Sequence, residues 1–376
     1  MRQTVAVAFV SAVIAILAGD ILFWYRFVRS PTRSASSVPR LKWTRGADQS
    51  TVATSPIVAS DGTLYVASAF AIHAFDPSSA MKWVYRLDAA DPVRASTLAQ
   101  DGAGNLYFTT WKFLYSLSPT GLKRWQADCH DAALARDLGG SPFLADAVYA
   151  SCDNHLIALN EGDGREVWRL PNATTQSPTP VPAAPLMLHN GELIFSRGQR
   201  VFAADRDGNT LWTYPSDPMT GAYLVGLGLD DIIYARKASG ELVALDAHGQ
   251  ERWVFNGGRS VTFSESPVTA ADGTVYAVAM QGPLFGMTSN GTLKWAFNLP
   301  PSTTILGYTP PLLSREGVIY QLLENSVIAL SPQRTVLWQM QLGGERHHRG
   351  FLALAPDSTL YAVMDNSVVH AIQTRN

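Results

Sequence analysis

Few side chains in the 376-residue chain have the type and spacing to do chemistry. Its two cysteines, Cys129 and Cys152, either pair as a disulfide or stay as thiols. His130-Asp131, followed by Arg136-Asp137, has the makings of an acid–base group, yet no nucleophile accompanies it and a polar loop explains the same residues. The stretch from Gly343 to Gly350, with Arg346, His347, His348 and Arg349, is the most cationic of the body. Adjacent histidines diverge, and one pair lacks the further ligands that zinc takes, so this loop reads as a contact for an anion or a protein, or as a solvated loop. There is no phosphate-binding glycine loop, no zinc-binding cysteine array and no recognisable catalytic triad. From these residues alone the chain carries no catalytic group, no cofactor site and no metal site.

What positions these residues is a repeat. Tryptophan recurs as Trp43, Trp83, Trp125, Trp168, Trp212, Trp253, Trp295 and Trp338, at steps of 40 to 44 residues, and only Trp24 and Trp111 stand outside the series. A self-similar period of this length marks a repeat architecture. Within one period, runs of four to seven apolar or β-branched residues alternate with Gly, Asp and Asn turns, as in Tyr223–Leu229, Ile232–Arg236, Leu242–Leu245 and the Trp253 run. Four such runs predict four antiparallel strands. No helical period follows residue 26. The last unit ends at Ile372 without a tryptophan strand, and the first tryptophan strand, Leu41-Lys42-Trp43, precedes any unit. The expected fold is therefore all-β: an eight-bladed β-propeller of four-stranded antiparallel blades, closed by the N-terminal strand. Each tryptophan is expected near the rim, docking one blade against the next.

Composition bounds the rest. Hydrophobic residues make up 47% of the chain and charged residues 16%, enough for a core. Seven of the 29 basic residues and one of the 31 acidic ones precede residue 46, leaving 22 against 30 in the body. So acidic a body is a poor nucleic-acid partner. Residues 26–45 hold six basic side chains and no acid, which suits anionic lipid headgroups or a solvated linker. Val5–Tyr25 is almost wholly apolar, and its 21 residues are long enough to cross a bilayer as a helix. The chain divides into an N-terminal membrane anchor at 1–26, or alternatively a cleaved signal peptide, a basic polar linker at 27–40 and the propeller at 41–376. Arg26, Arg29 and Arg33 after the apolar segment point the body into the cytoplasm by the positive-inside rule.

The repeated text, as in Val275-Tyr276-Ala277, Leu242-Val243-Ala244-Leu245-Asp246 and the Gly249-to-Trp253 spacing, resembles the repeat of pyrroloquinoline-quinone (PQQ)-type β-propellers over residues 41–376. That superfamily includes quinoprotein dehydrogenases and cofactor-free scaffold propellers of the BamB type. The chain is closer to the second group. Its repeats are near minimal length, it lacks adjacent cysteines, and no calcium cluster can be matched to it. The resemblance implies a protein-interaction scaffold held in the envelope by a single N-terminal span, with the propeller periplasmic or extracellular, against the positive-inside count. Its partners would be envelope or membrane proteins, with a role in outer-membrane protein assembly. The alternatives are a PQQ- and calcium-dependent oxidoreductase and a module for small ligands or polysaccharide.

Strand direction alternates in such a blade. The links between blades and the second-to-third-strand turns therefore share one face, and loops on a rigid scaffold are where function sits. Trp111, His130, Arg136, His347, His348 and Arg349 fall on that face as its candidate interaction residues. Cys129 falls in one link and Cys152 in the next blade's turn, so a disulfide is geometrically reasonable and would imply an oxidising compartment.

Overall fold

In most blades the second strand is built of apolar or small residues, and both of its faces are buried. Leu64–Ala67 shows why. Leu64 and Val66 pack toward the last blade, while Tyr65 and Ala67 pack toward the next one. A strand sandwiched between two neighbours has no solvent side, so its sequence loses the in–out alternation of a one-faced sheet. The computed structural model describes residues 38–374 apart from 49, 51–53, 94–97, 131–132, 135–142, 145–146, 154, 171–184, 198, 216–220, 259–260, 264–265, 281, 301–308 and 344–349. Pro39–Thr374 forms one compact unit.

That unit is a ring of eight antiparallel sheets. Blade 1 runs from Ile57–Val58 at the inside through Leu64–Ala67 and Ala71–Phe75 to Met81–Arg86 at the outside. Blades 2 to 7 repeat this order, ending on Lys123–Asp128, Glu166–Arg169, Thr210–Tyr214, Glu251–Phe255, Leu293–Phe297 and Val336–Gln341. Blade 3 departs from the four-strand rule. Two short strands, Ala133–Leu134 and Phe143–Leu144, share its inner position against Ala147–Cys152. In place of one central core, buried apolar side chains form eight clusters, each shared by two consecutive blades.

Blade 8 takes its inner three strands, Gly350–Leu354, Thr359–Met364 and Val368–Gln373, from the end of the chain and its outer strand, Arg40–Gly46, from the beginning. Arg40 pairs with Gln373 and Gly46 with Val368. Lys42 Nζ reaches Thr359 Oγ1 at 2.9 Å, and Thr44 Oγ1 lies 3.1 Å from His370 Nδ1. The ring is thus sealed by hydrogen bonds between residues over 300 positions apart, and no sheet is left open along its circumference.

The rim tryptophans dock the blades. Seven indole N–H groups donate to a backbone carbonyl of the following blade, for example Trp83 to Pro119 at 2.9 Å and Trp253 to Ser289 at 2.9 Å. Trp338 faces blade 8, where the chain's two ends replace the third-to-fourth turn; among the described residues its indole has no such acceptor. Across seven of the eight sheets the tryptophan sits opposite a small residue and then a tyrosine, as in Trp83–Ala74–Tyr65 and Trp295–Gly286–Tyr276, while blade 4 has Ile194 in the tyrosine's place. The two rings lean together at 5.7 Å in both cases. A methyl on Gly286 would stand 2.5 Å from the Trp295 ring, so the indole itself sets the size of the middle residue. A one-residue register shift beside the tryptophan recurs in every blade.

Among the described residues the only helical turn is Leu229–Asp231, and no helix is long and apolar enough to cross a membrane. The expected N-terminal span and the linker up to residue 37 lie outside the described residues.

Candidate functional site

Because the strands alternate, the link leaving each outer strand and the turn joining the second and third strands emerge on one face. Two of these links are clamped both to the blade they leave and to the blade they lead to. After blade 1, Leu87 N–H donates to the Phe70 carbonyl at 2.9 Å and Val93 N–H to the Ala69 carbonyl at 2.7 Å. Asp91, nearly buried in this link, accepts from Thr110 Oγ1 at 2.7 Å and from Lys112 N–H at 3.1 Å. After blade 2, Cys129 N–H donates to the Lys112 carbonyl at 2.8 Å, and Cys129 is joined to Cys152 by a disulfide with 5.0 Å between the Cα atoms. Both cysteines are fully buried. One residue further on, Asp153 N–H donates to the His130 carbonyl, and the exposed His130 ring lies 3.7 Å from the Asp153 carboxylate.

Trp111 stands at the tip of the turn held by these clamps and is 50% exposed. Phe70 occupies the matching tip of blade 1 and is 40% exposed. Two large aromatic side chains on fixed turns of neighbouring blades have the character of interface anchors, which bind well when they lose little conformational freedom. Of the residues expected on this face, Trp111 and His130 lie on two successive blade junctions, and Arg136, His347, His348 and Arg349 lie outside the described residues. Asp131 and Asp137 are also outside them; among the described residues the acid beside His130 is Asp153. Sequence reasoning passed over Phe70, although its signal was available: it holds the same place in its repeat as the turn that carries Trp111.

A second polar group was not legible. The chain that follows the closing strand brings Asp48 against blade 1, where Asp48 Oδ2 lies 3.1 Å from His73 Nε2 and 2.5 Å from Ser68 Oγ. The residue types invite comparison with a hydrolase triad, but the geometry excludes one. A triad places the carboxylate on one ring nitrogen and the hydroxyl on the other. Here both lie on Nε2, and the buried Nδ1 has no hydrogen-bond partner. Burial lowers the His73 pKa and Asp48 only partly opposes this, so the ring is neutral and donates through Nε2. Burial alone would raise Asp48, but hydrogen bonds from Ser68, Ser50 and His73 hold it at about 2. The group is a latch for the closing segment. Among the described residues no three His, Cys, Asp or Glu side chains converge to hold a metal ion, so they offer no cluster that fits the calcium of a quinoprotein.

The fold and this face define a class: a closed propeller of minimal blades, stapled by rim tryptophans, with the links between blades leaving on one side. The sequence family described as outer membrane protein assembly factor BamB matches residues 112–333, more than half of the chain, and the chain belongs to that family. The BamB structure from Moraxella catarrhalis superposes with a TM-score of 0.67 at 19% identity, covering 89% of this chain and 100% of that one. The C-terminal WD40 domain of Sif2 gives 0.70 at 10% identity, over 90% of this chain and 99% of that one. A catalytically inactive virginiamycin B lyase from Staphylococcus aureus with quinupristin gives 0.58 at 12%, over 89% and 99%. At such identities these likenesses concern the fold alone. No curated protein matches the chain in sequence.

Proposed function

We propose that this propeller is a protein-docking scaffold of the cell envelope, working in outer-membrane protein assembly and presenting its link-bearing face to a protein partner. The observation that carries the reading is the clamped pair of junctions around Trp111: hydrogen bonds from Asp91 on one side and the Cys129–Cys152 disulfide on the other hold an exposed aromatic turn in place. Membership of the BamB family supports the assembly role. The disulfide suits an oxidising compartment, and hence a periplasmic or extracellular propeller. The apolar segment at 5–25 would tether it to the membrane.

The test is site-directed photo-crosslinking in intact cells. A crosslinking side chain at position 111 or 70 should give a discrete adduct with an envelope protein, and one at Asn290, on the opposite face, should not. Equal labelling from both faces would sink the docking assignment. Protease added outside intact cells or spheroplasts reports the compartment separately: a propeller that stays protected in spheroplasts is cytoplasmic, and the envelope role then fails.

A further inference from the structure

Three asparagines are followed by glycine: Asn190, Asn256 and Asn290. Such a pair carries a latent reaction. Glycine has no Cβ to shield its backbone nitrogen, which can attack the side-chain carbonyl of the asparagine before it. The ring places the three differently. Asn190 lies in the turn between the inner and second strands of blade 4, and Asn290 in the turn between the third and outer strands of blade 6. Asn256 follows the outer strand of blade 5, Glu251–Phe255, and opens the link to blade 6. Its side chain is exposed.

In all three the side-chain Oδ1 accepts the backbone N–H two residues on: Glu192 at 2.9 Å, Gly258 at 2.9 Å and Thr292 at 3.3 Å. The glycine nitrogen is what separates them. Gly191 N–H donates to the Leu188 carbonyl at 2.9 Å, and Gly291 N–H to the Thr288 carbonyl at 3.0 Å. Each of those amides must break its turn bond before it can swing toward the asparagine. Gly257 N–H makes no hydrogen bond among the described residues. The other blades show that this bond is specifically missing. Leu87, Cys129 and Leu342 hold the same place, four residues past the rim tryptophan, and donate at 2.8–2.9 Å to the turn between the second and third strands of their own blade. In blade 5 the Val261 carbonyl comes to that turn instead, against Gly240. Val261 also covers the Cα of Gly257, where a methyl would stand 2.5 Å from its Cγ1, but the reaction adds no atom there.

We infer that Asn256 is a modification site, where the chain deamidates through a succinimide to isoaspartate and aspartate while the ring stays folded. The Gly257 nitrogen gives its proton to hydroxide and bonds to Asn256 Cγ. The charge that develops on Oδ1 faces the Gly258 N–H already aimed at it. The Cγ–Nδ2 bond then breaks, and Nδ2 takes a proton from water and leaves as ammonia. Water opens the ring at either of its two bonds to the Gly257 nitrogen. Opening at Cγ gives aspartate, and opening at the Asn256 backbone carbonyl gives isoaspartate, with the chain rerouted through the side chain. Either product places a carboxylate at the start of the blade 5–6 link, on the link-bearing face, where a neutral amide stood. The inference does not depend on the docking proposal, because it is read on the protein alone.

The test is peptide mapping by mass spectrometry of the full chain aged at mildly alkaline pH, once folded and once in urea. In the folded protein the Asn256 peptide should show the amide-to-acid mass gain first. It should lead the Asn190 and Asn290 peptides by about tenfold, the rate equivalent of one turn hydrogen bond. In urea the three rates should converge, because the Asn-Gly chemistry is then the same. An isoaspartyl methyltransferase should label the aged folded protein, and Asn256→Gln should remove most of that label without moving the melting temperature. A folded sample in which Asn190 or Asn290 reacts first overturns the inference. So does an Asn256 peptide that stays intact in the folded protein while the urea sample reacts.

Discussion

Individual residues in this ring are constrained by the indole that lies over them. Gly291 sits at φ +80°, and a Cβ there would stand 2.6 Å from the Trp253 ring. Gly291→Ala should therefore combine backbone strain with a clash and cost about 2–4 kcal/mol in urea unfolding. Gly258 shares the positive φ, at +108°, but has nothing within 4 Å, so Gly258→Ala should cost only about 1 kcal/mol. Equal losses at the two sites would refute a steric role for the tryptophan. The Asp48–His73 latch makes a second residue-level prediction. His73 is held below its usual value of 6.5, so the unfolded chain takes up a proton that the folded one refuses, and stability falls as pH drops below about 6.5. Asp48 is held at about 2 against 3.8, so its contribution is present above 3.8 and is lost as pH falls from there toward 2. The urea midpoint should decline in both windows, and Asp48→Asn should flatten the lower one. A wild-type midpoint independent of pH from 7 to 3 would count against the latch.

The element on which the ring depends is the strand Arg40–Gly46. Among the described residues, its pairing with Val368–Gln373 is the only covering for the edge of blade 8. A chain beginning at Ala47 should expose that edge, with a melting temperature lowered by about 5–10 °C and a tendency to self-associate. A synthetic peptide spanning residues 39–47 should restore the melting temperature when added in excess, because the missing strand is one separable piece of sheet. Failure of both truncation and rescue to move the transition would mean that the seam carries no stability. The strand is legible from counting, since tryptophan strands and second-strand runs fall out of step by one unit. The split inner strand of blade 3 is not, because two-residue strands carry too little pattern to distinguish them from a link.

Across the whole molecule, stability is spread over eight inter-blade cores, so a crosslink between blades acts on the ring and not on one sheet. The Cys129–Cys152 bridge spans 23 residues and joins blade 2 to blade 3. Its removal should cost about 3 kcal/mol by the chain-entropy relation, seen as a lower unfolding midpoint under reducing conditions. Both sulfurs are buried, so reduction should need opening of the native state: a thiol reagent should count two groups only after denaturation in reductant. Rapid reaction with the folded, unreduced protein would contradict the bridge. Calcium with PQQ tests the alternative to a scaffold, and stoichiometric binding with a new visible absorbance would favour the oxidoreductase.

The amino-acid sequence by itself determined the number of blades, their strands, the closing strand and the docking role of the tryptophans. Each of these is local and repeated: a strand buried on both faces is mostly apolar, and similar short text recurs in each of the eight units. Only the tertiary structure decided which side chains meet across blades. Asp48 with His73 and Asp91 with Thr110 belong to strands or links separated in sequence, and nothing in their immediate neighbours marks the pairing. Phe70 lies between these cases, its place fixed by the repeat and its exposure by the turn. The physical reason is range: backbone pattern follows neighbouring residues, while electrostatic and hydrogen-bond partners are chosen by the ring's closure.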